Sequence, residues 1–147
     1  MNLIFGSDHA GLTLRKQLVA EARALGHEVE EVGAMSADSY DYPLASDAVA
    51  CMVRNGAAEF GVLVCGSGIG VSIRANRYPG IRAALCFTPE HAALARQHNH
   101  ANVLCVGERT TDPAVAVQIL QTFLSTAPDD GERHVRRVEG LDGNLSC

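Results

Sequence analysis

The stretch Phe60–Gly70, FGVLVCGSGIG, carries two signals in eleven residues. FGVLVC is an unbroken apolar run of strand length, and a run apolar on both faces belongs in a parallel sheet covered by helices. GSGIG then interrupts it with three glycines where a helical pattern begins. Similar runs recur at Asn2–Gly6 (NLIFG), Ile81–Cys86 (IRAALC) and Asn102–Val106 (NVLCV), while EVEEV, before Gly33, alternates as a partly exposed strand. Helical stripes separate them. One runs from Leu12 to Leu25 with Gly26 as its stop, one from Pro43 to Arg54 before Asn55-Gly56, and others lie at about Ile69–Asn76, Pro89–Gln97 and Pro113–Leu124. Ala34 to Tyr42 is polar and reads as a loop. Strand then helix, five times over, predicts an α/β fold: a three-layer α/β/α, doubly wound, Rossmann-like sandwich on a five-stranded parallel sheet. The chain reads as one domain, residues 1–147. Its polar, Gly-rich tail, 128–147, is expected to pack on a neighbouring surface rather than form core.

Composition narrows the function classes. With 147 residues, 47% apolar and 20% charged, the chain has the balance of an ordinary globule. Five widely spaced cysteines, without CxxC or a Cys-His cluster, point to a reducing compartment and to no bound metal. The first residues lack a signal-peptide pattern, and no apolar run reaches the roughly 18 residues of a membrane span, so a cytoplasmic protein without membrane contact is expected. A net charge of −5 argues against nucleic acid as a partner. Arg133, Arg136 and Arg137 form a local basic exception suited to a small anion.

In a doubly wound sheet, ligands bind beyond the carboxyl ends of the strands. The residues there are Ser7-Asp8-His9, Cys65-Gly66-Ser67-Gly68-Ile69-Gly70, Phe87-Thr88 and Gly107-Glu108-Arg109. Gly66, Gly68 and Gly70 can form an anion cradle at a helix N-terminus or simply a tight turn. The pattern is not a dinucleotide fingerprint, because Val71 stands where a glycine is needed, and no Gly-Lys-Ser/Thr follows as in a Walker loop. Cys65 reads either as a reactive thiol at the helix mouth or as a buried structural cysteine, whereas Cys51, Cys86 and Cys105 read as core. Asp8 reads as a substrate contact or an N-cap, His98 and Asn99 as site residues or a helix end, and the arginines as an anion clamp or a solvated face.

Together these segments resemble the ribose-5-phosphate isomerase B family, which also includes the galactose-6-phosphate isomerase subunits. The matching motifs are GSDHAG (6–11), DYP (41–43), CGSGIG (65–70), AN (75–76), PGIRAAL (79–85), RQHN (96–99), GERT (107–110) and GxRHxxRV (131–138). The resemblance implies aldose-ketose isomerisation of a sugar phosphate, ribose 5-phosphate to ribulose 5-phosphate, without metal or cofactor. It implies a phosphate gripped by His9, Arg133 and Arg137 with Arg109 close by, and hydroxyls held by Asp8, Tyr42 and Asn99. His98 would assist ring opening. Cys65 would be the base, and Ser67 with the loop amides would stabilise the enediolate. A second form of the family uses a glutamate one position past the loop; Val71 stands there, so this chain has the cysteine form. Members are homodimers or tetramers whose sites lie at the dimer interface, with His98 and Asn99 supplied across it. Arg74 departs from the family pattern, which leads to a small residue there, and could pair with a surface acid or alter the pocket. Another four- to six-carbon sugar phosphate, or a non-catalytic phosphate- or nucleotide-binding module of flavodoxin-like fold, are the alternatives; a thiol at position 65 distinguishes an enzyme from a mere binder.

Overall fold

A computed structural model of the chain describes residues 1–143. Five strands, β1 (Asn2–Ser7), β2 (Glu28–Gly33), β3 (Phe60–Cys65), β4 (Ala83–Leu85) and β5 (Val103–Gly107), form one parallel sheet in the order β2-β1-β3-β5-β4. The crossovers are α1 (Leu12–Ala24), α2 (Tyr42–Arg54), α3 (Ile69–Ala75) and α4 (Pro89–Asn99), and α5 (Pro113–Ser125) follows β5. The chain leaves β1 toward β2 on one side and returns to β3 on the other, so its order reverses between β1 and β3. A crevice opens at such a switch point.

The period-2 geometry of the strands divides their apolar residues between two cores. Leu3, Phe5, Val62, Val64, Leu104 and Val106 face α1, α4 and α5. Ile4, Leu63, Cys65, Val103 and Cys105 face α2 and α3. Burying each Leu, Ile, Val or Phe contributes about 1.5–3 kcal/mol, which makes these two layers the main source of stability. Helix starts are set locally: Thr88 Oγ1 accepts the His91 N–H at 3.2 Å, and Asp112 Oδ1 accepts the Ala114 N–H at 2.8 Å, each with proline next.

Three details differ from the sequence reading. The tail contains a sixth helix, α6 (Glu132–Asp142), which packs against α4 and buries His134 and Val138, one turn apart on a single face. Cys51 is exposed, because Val49, Ala50 and Val53 take the inward face of α2. The fourth strand is only three residues long: Ile81 is buried, but Arg82 N–H donates to the Asn102 side chain rather than to a neighbouring strand. The last four residues of the predicted tail, 144–147, with Cys147 among them, lie outside the described residues. No helix among the described residues is long and apolar enough to cross a membrane.

Candidate active site

The crevice between the ends of β1 and β3 is an open cleft of about 390 Å³. Asp8, His9, Tyr42, Cys65, Gly66, Ser67, Gly70 and Arg109, eight of the residues singled out in the sequence, line it together with Ala10 and Thr110. A larger cleft of about 450 Å³ lies against β4, lined among others by Asn76, Arg82, Asn99 and Leu141. Its lining among the described residues contains no thiol or carboxylate able to act as a base, so chemistry selects the smaller one.

Each side chain of the cleft is held by a traceable contact. Cys65 ends β3 almost fully buried, and its Sγ accepts the Gly68 N–H at 3.1 Å. Gly68 makes this turn with φ +75°, a left-handed conformation that suits glycine; a Cβ there would also meet Leu85 Cδ1 at 2.5 Å. Ser67 Oγ accepts the Ile69 N–H at 3.3 Å. The loop after β5 is stitched onto the glycine loop, with Glu108 N–H donating to Cys65 O and Arg109 N–H to Gly66 O, both at 2.9 Å. Asp8 serves both of its sequence readings, since it lines the cleft while its Oδ1 accepts the Gly11 N–H at 3.0 Å. His9 Nδ1 accepts the Tyr40 N–H at 3.1 Å; a backbone amide can only donate, so a proton on the neutral ring sits at Nε2.

Burial separates the thiols. The Cys86 thiol is pushed up to about 12 and the Cys105 thiol well above its ordinary value, both chiefly by desolvation. They are inert core groups at neutral pH. Among the described cysteines Cys65 alone opens on the cleft.

His98, Asn99, Arg133 and Arg137 do not line this cleft. His98 and Asn99 end α4, and Asn99 O accepts Arg82 Nε–H just before β4 begins, near the amino ends of β4 and β5, whereas Cys65 lies at the carboxyl end of the central strand. Arg133 and Arg137 are exposed on α6, beside them. Within one chain the expected residues thus fall into two groups at opposite ends of the sheet. Arg74 lies in neither: its guanidinium pairs in a fork with Asp47 at 2.6 and 3.0 Å, outside the residues that line the cleft.

Arg15 escaped the sequence reading, and Glu108, named there only as a residue after the last strand, has a supporting role. Arg15 is 1% exposed, and its guanidinium donates to Ser7 Oγ at 3.0 Å, Val32 O at 2.7 Å and Ala34 O at 2.8 Å. It pins the start of the loop whose Tyr40 holds His9. Glu108 Oε2 accepts the Leu14 N–H at 3.0 Å, tying the arginine-bearing loop to the first turn of α1.

A family model described as Ribose/Galactose Isomerase matches residues 3–141. The chain belongs to the ribose/galactose isomerase family. As a member it is an isomerase. Among its relatives, ribose-5-phosphate isomerase B of Escherichia coli (strain K12) is 41% identical over 139 residues, covering 95% of this chain and 93% of that protein. The structure of the type B ribose 5-phosphate isomerase of Trypanosoma brucei superposes with a TM-score of 0.93 at 48% identity, covering 96% of each chain. The Clostridium thermocellum ribose-5-phosphate isomerase B superposes with a TM-score of 0.94 at 38% identity, over 97% of this chain and 95% of that one. The family fold therefore spans nearly the whole of this chain.

Proposed function

We propose that this isomerase interconverts ribose 5-phosphate and ribulose 5-phosphate, with Cys65 as the base. The observation that carries the reading is the cleft at the β1–β3 switch point, where the Cys65 thiol, the glycine loop and Arg109 meet in a chain of this family. A base removes the proton from C2 of the open aldose, next to its carbonyl, and electrons shift to the carbonyl oxygen to give an enediolate. Returning the proton to C1 while the hydroxyl proton passes from O2 to O1 yields the ketose, so the reaction balances with no redox partner. Cys65 Sγ takes and returns the carbon-bound proton, and Ser67 with the loop amides stabilises the oxyanion. No step in it calls for a metal or cofactor.

The other residues bind and open the sugar. His9 and Arg109 face the phosphate from the cleft, and Asp8 and Tyr42 take hydroxyls. His98, Asn99, Arg133 and Arg137 come from a second copy of the chain, His98 assisting ring opening, Asn99 holding a hydroxyl and the arginines clamping the phosphate. A dimer is supported by the separation of the two residue groups within one chain. It is also supported by Leu44, Ile69 and Ile73, which are at least half exposed on α2 and α3. We place the dimer, or a tetramer built from it, in the cytoplasm.

Assaying the purified protein against four- to six-carbon aldose phosphates tests the substrate. The highest kcat/KM is expected on ribose 5-phosphate. A higher value on another sugar phosphate would reassign the substrate, and inactivity on all would refute the proposal.

A further inference from the structure

Beyond the residues already assigned, α6 carries a buried histidine with an unusual neighbour. The His134 ring stacks on His98, with centroids 4.5 Å apart and planes within 5° of parallel. His98 is exposed at the end of α4, where a long side chain ordinarily samples several rotamers, whereas His134 is 5% exposed and fixed by its surroundings. His134 Nε2 lies 3.4 Å from Asp129 Oδ2 and 3.3 Å from an Arg133 guanidinium nitrogen.

Asp129 is itself anchored to both helices. Its N–H donates to Gln97 O at 3.0 Å and its carbonyl accepts His100 Nε2–H at 3.0 Å, while Oδ1 accepts the Gly131 N–H at 2.8 Å, just before α6. His100 closes α4 in the left-handed region, φ 47°, which ends the helix directly after His98 and Asn99. The end of α4 and the start of α6 are therefore one braced unit, with the His134 ring at its centre and His98 on its surface.

We propose that His134 is a positioning residue for the isomerase reaction, its ring face fixing the orientation in which His98 meets the sugar ring. The inference rests on the role given to His98 above. Orientation of an acid-base group enters the rate of the step it serves, so kcat is the quantity that reads it. The bond to Arg133 is a separate hold and acts through KM.

Steady-state kinetics of His134→Phe, His134→Leu and His98→Ala on ribose 5-phosphate, in the full-length protein, test it. Phe and Leu both fill the buried space, but only Phe offers a ring face. His98→Ala is expected to lower kcat about 100-fold. His134→Leu is expected to lower kcat about tenfold, and His134→Phe to restore most of that loss while both variants share a raised KM. Equal kcat in the Phe and Leu variants would overturn the positioning role while leaving His98 in place. An unimpaired His98→Ala variant would remove the His98 reading itself, and the positioning role with it.

Discussion

Gly70 and Tyr42 are in such close approach that a Cβ on the glycine would stand 2.6 Å from Tyr42 Cζ and 2.7 Å from Cε2. The hydroxyl end of the ring is thereby laid against the first turn of α3, at the wall of the cleft. α2 supplies the tyrosine and the glycine loop supplies the room. Gly70→Ala should push the ring outward, since Tyr42 is partly exposed and free to swing. The expected result is a KM raised roughly tenfold, the worth of about one hydrogen bond, with little change in Tm. A Gly70→Ala/Tyr42→Ala double variant should be no worse than Tyr42→Ala alone, because both changes remove the same contact. Additive losses would show that the glycine acts on something else.

Arg15 should matter for stability more than any surface charge. Arg15→Ala strands the buried carbonyl of Ala34 and the partly buried carbonyl of Val32 without their donor. Two unsatisfied acceptors cost about 3 kcal/mol together. For a chain of this size that lowers Tm by roughly 10 °C, which thermal denaturation would measure. Arg74→Ala, by contrast, removes an exposed pair with Asp47 and should leave Tm and kcat/KM nearly unchanged.

Acid sensitivity is expected to involve His134. Burial, reinforced by His98, Arg133 and Arg137 and opposed by Asp129, holds its pKa below the ordinary histidine value. A histidine depressed in the folded state keeps its full stability above the unfolded pKa, about 6.5, and loses stability as pH falls through that value toward the folded one. The unfolded chain takes up the proton first. Tm should accordingly decline between pH 7.5 and about 5, and His134→Phe should flatten that part of the curve. An identical pH profile in the two proteins would exclude His134 as the cause.

Arg137 tests whether α6 reads the phosphate. A charge-assisted hydrogen bond is worth roughly 1.5–3 kcal/mol, so Arg137→Ala should raise KM for ribose 5-phosphate about 10- to 150-fold. The variant and parent should act alike on unphosphorylated ribose. Equal losses on both sugars, or none on either, would detach the arginine from the phosphate.

How much of this was legible in the sequence follows from where each signal lies. FGVLVC and NVLCV announce buried parallel strands because both of their faces are covered, so burial leaves no alternation to misread. α6 was hidden by the polar, glycine-bearing tail, although His134, Val138 and Leu141 recur at helical spacing. Buried arginines run against composition: Arg15 satisfies carbonyls from β2 and the loop after it, and Arg96 sits over the rings of Phe60 and Phe123, pairings that exist only once the chain has folded. Seven of the eight cleft residues were readable because they follow strands, whose carboxyl ends a parallel sheet brings together; Tyr42, the first residue of α2, came from the DYP match alone. Nothing in residue spacing says that His98, Asn99, Arg133 and Arg137 collect elsewhere.

The central claim is that the Cys65 sulfur moves the carbon-bound proton, and Cys65→Ala tests it most directly. Turnover of ribose 5-phosphate and its binding by titration calorimetry should be measured on the same preparation. Because general-base catalysis is worth about 100- to 10,000-fold, kcat should fall by at least the lower figure. Affinity for the sugar phosphate should stay close to that of the parent protein, since phosphate and hydroxyl contacts remain. Near-normal turnover in Cys65→Ala would contradict the account.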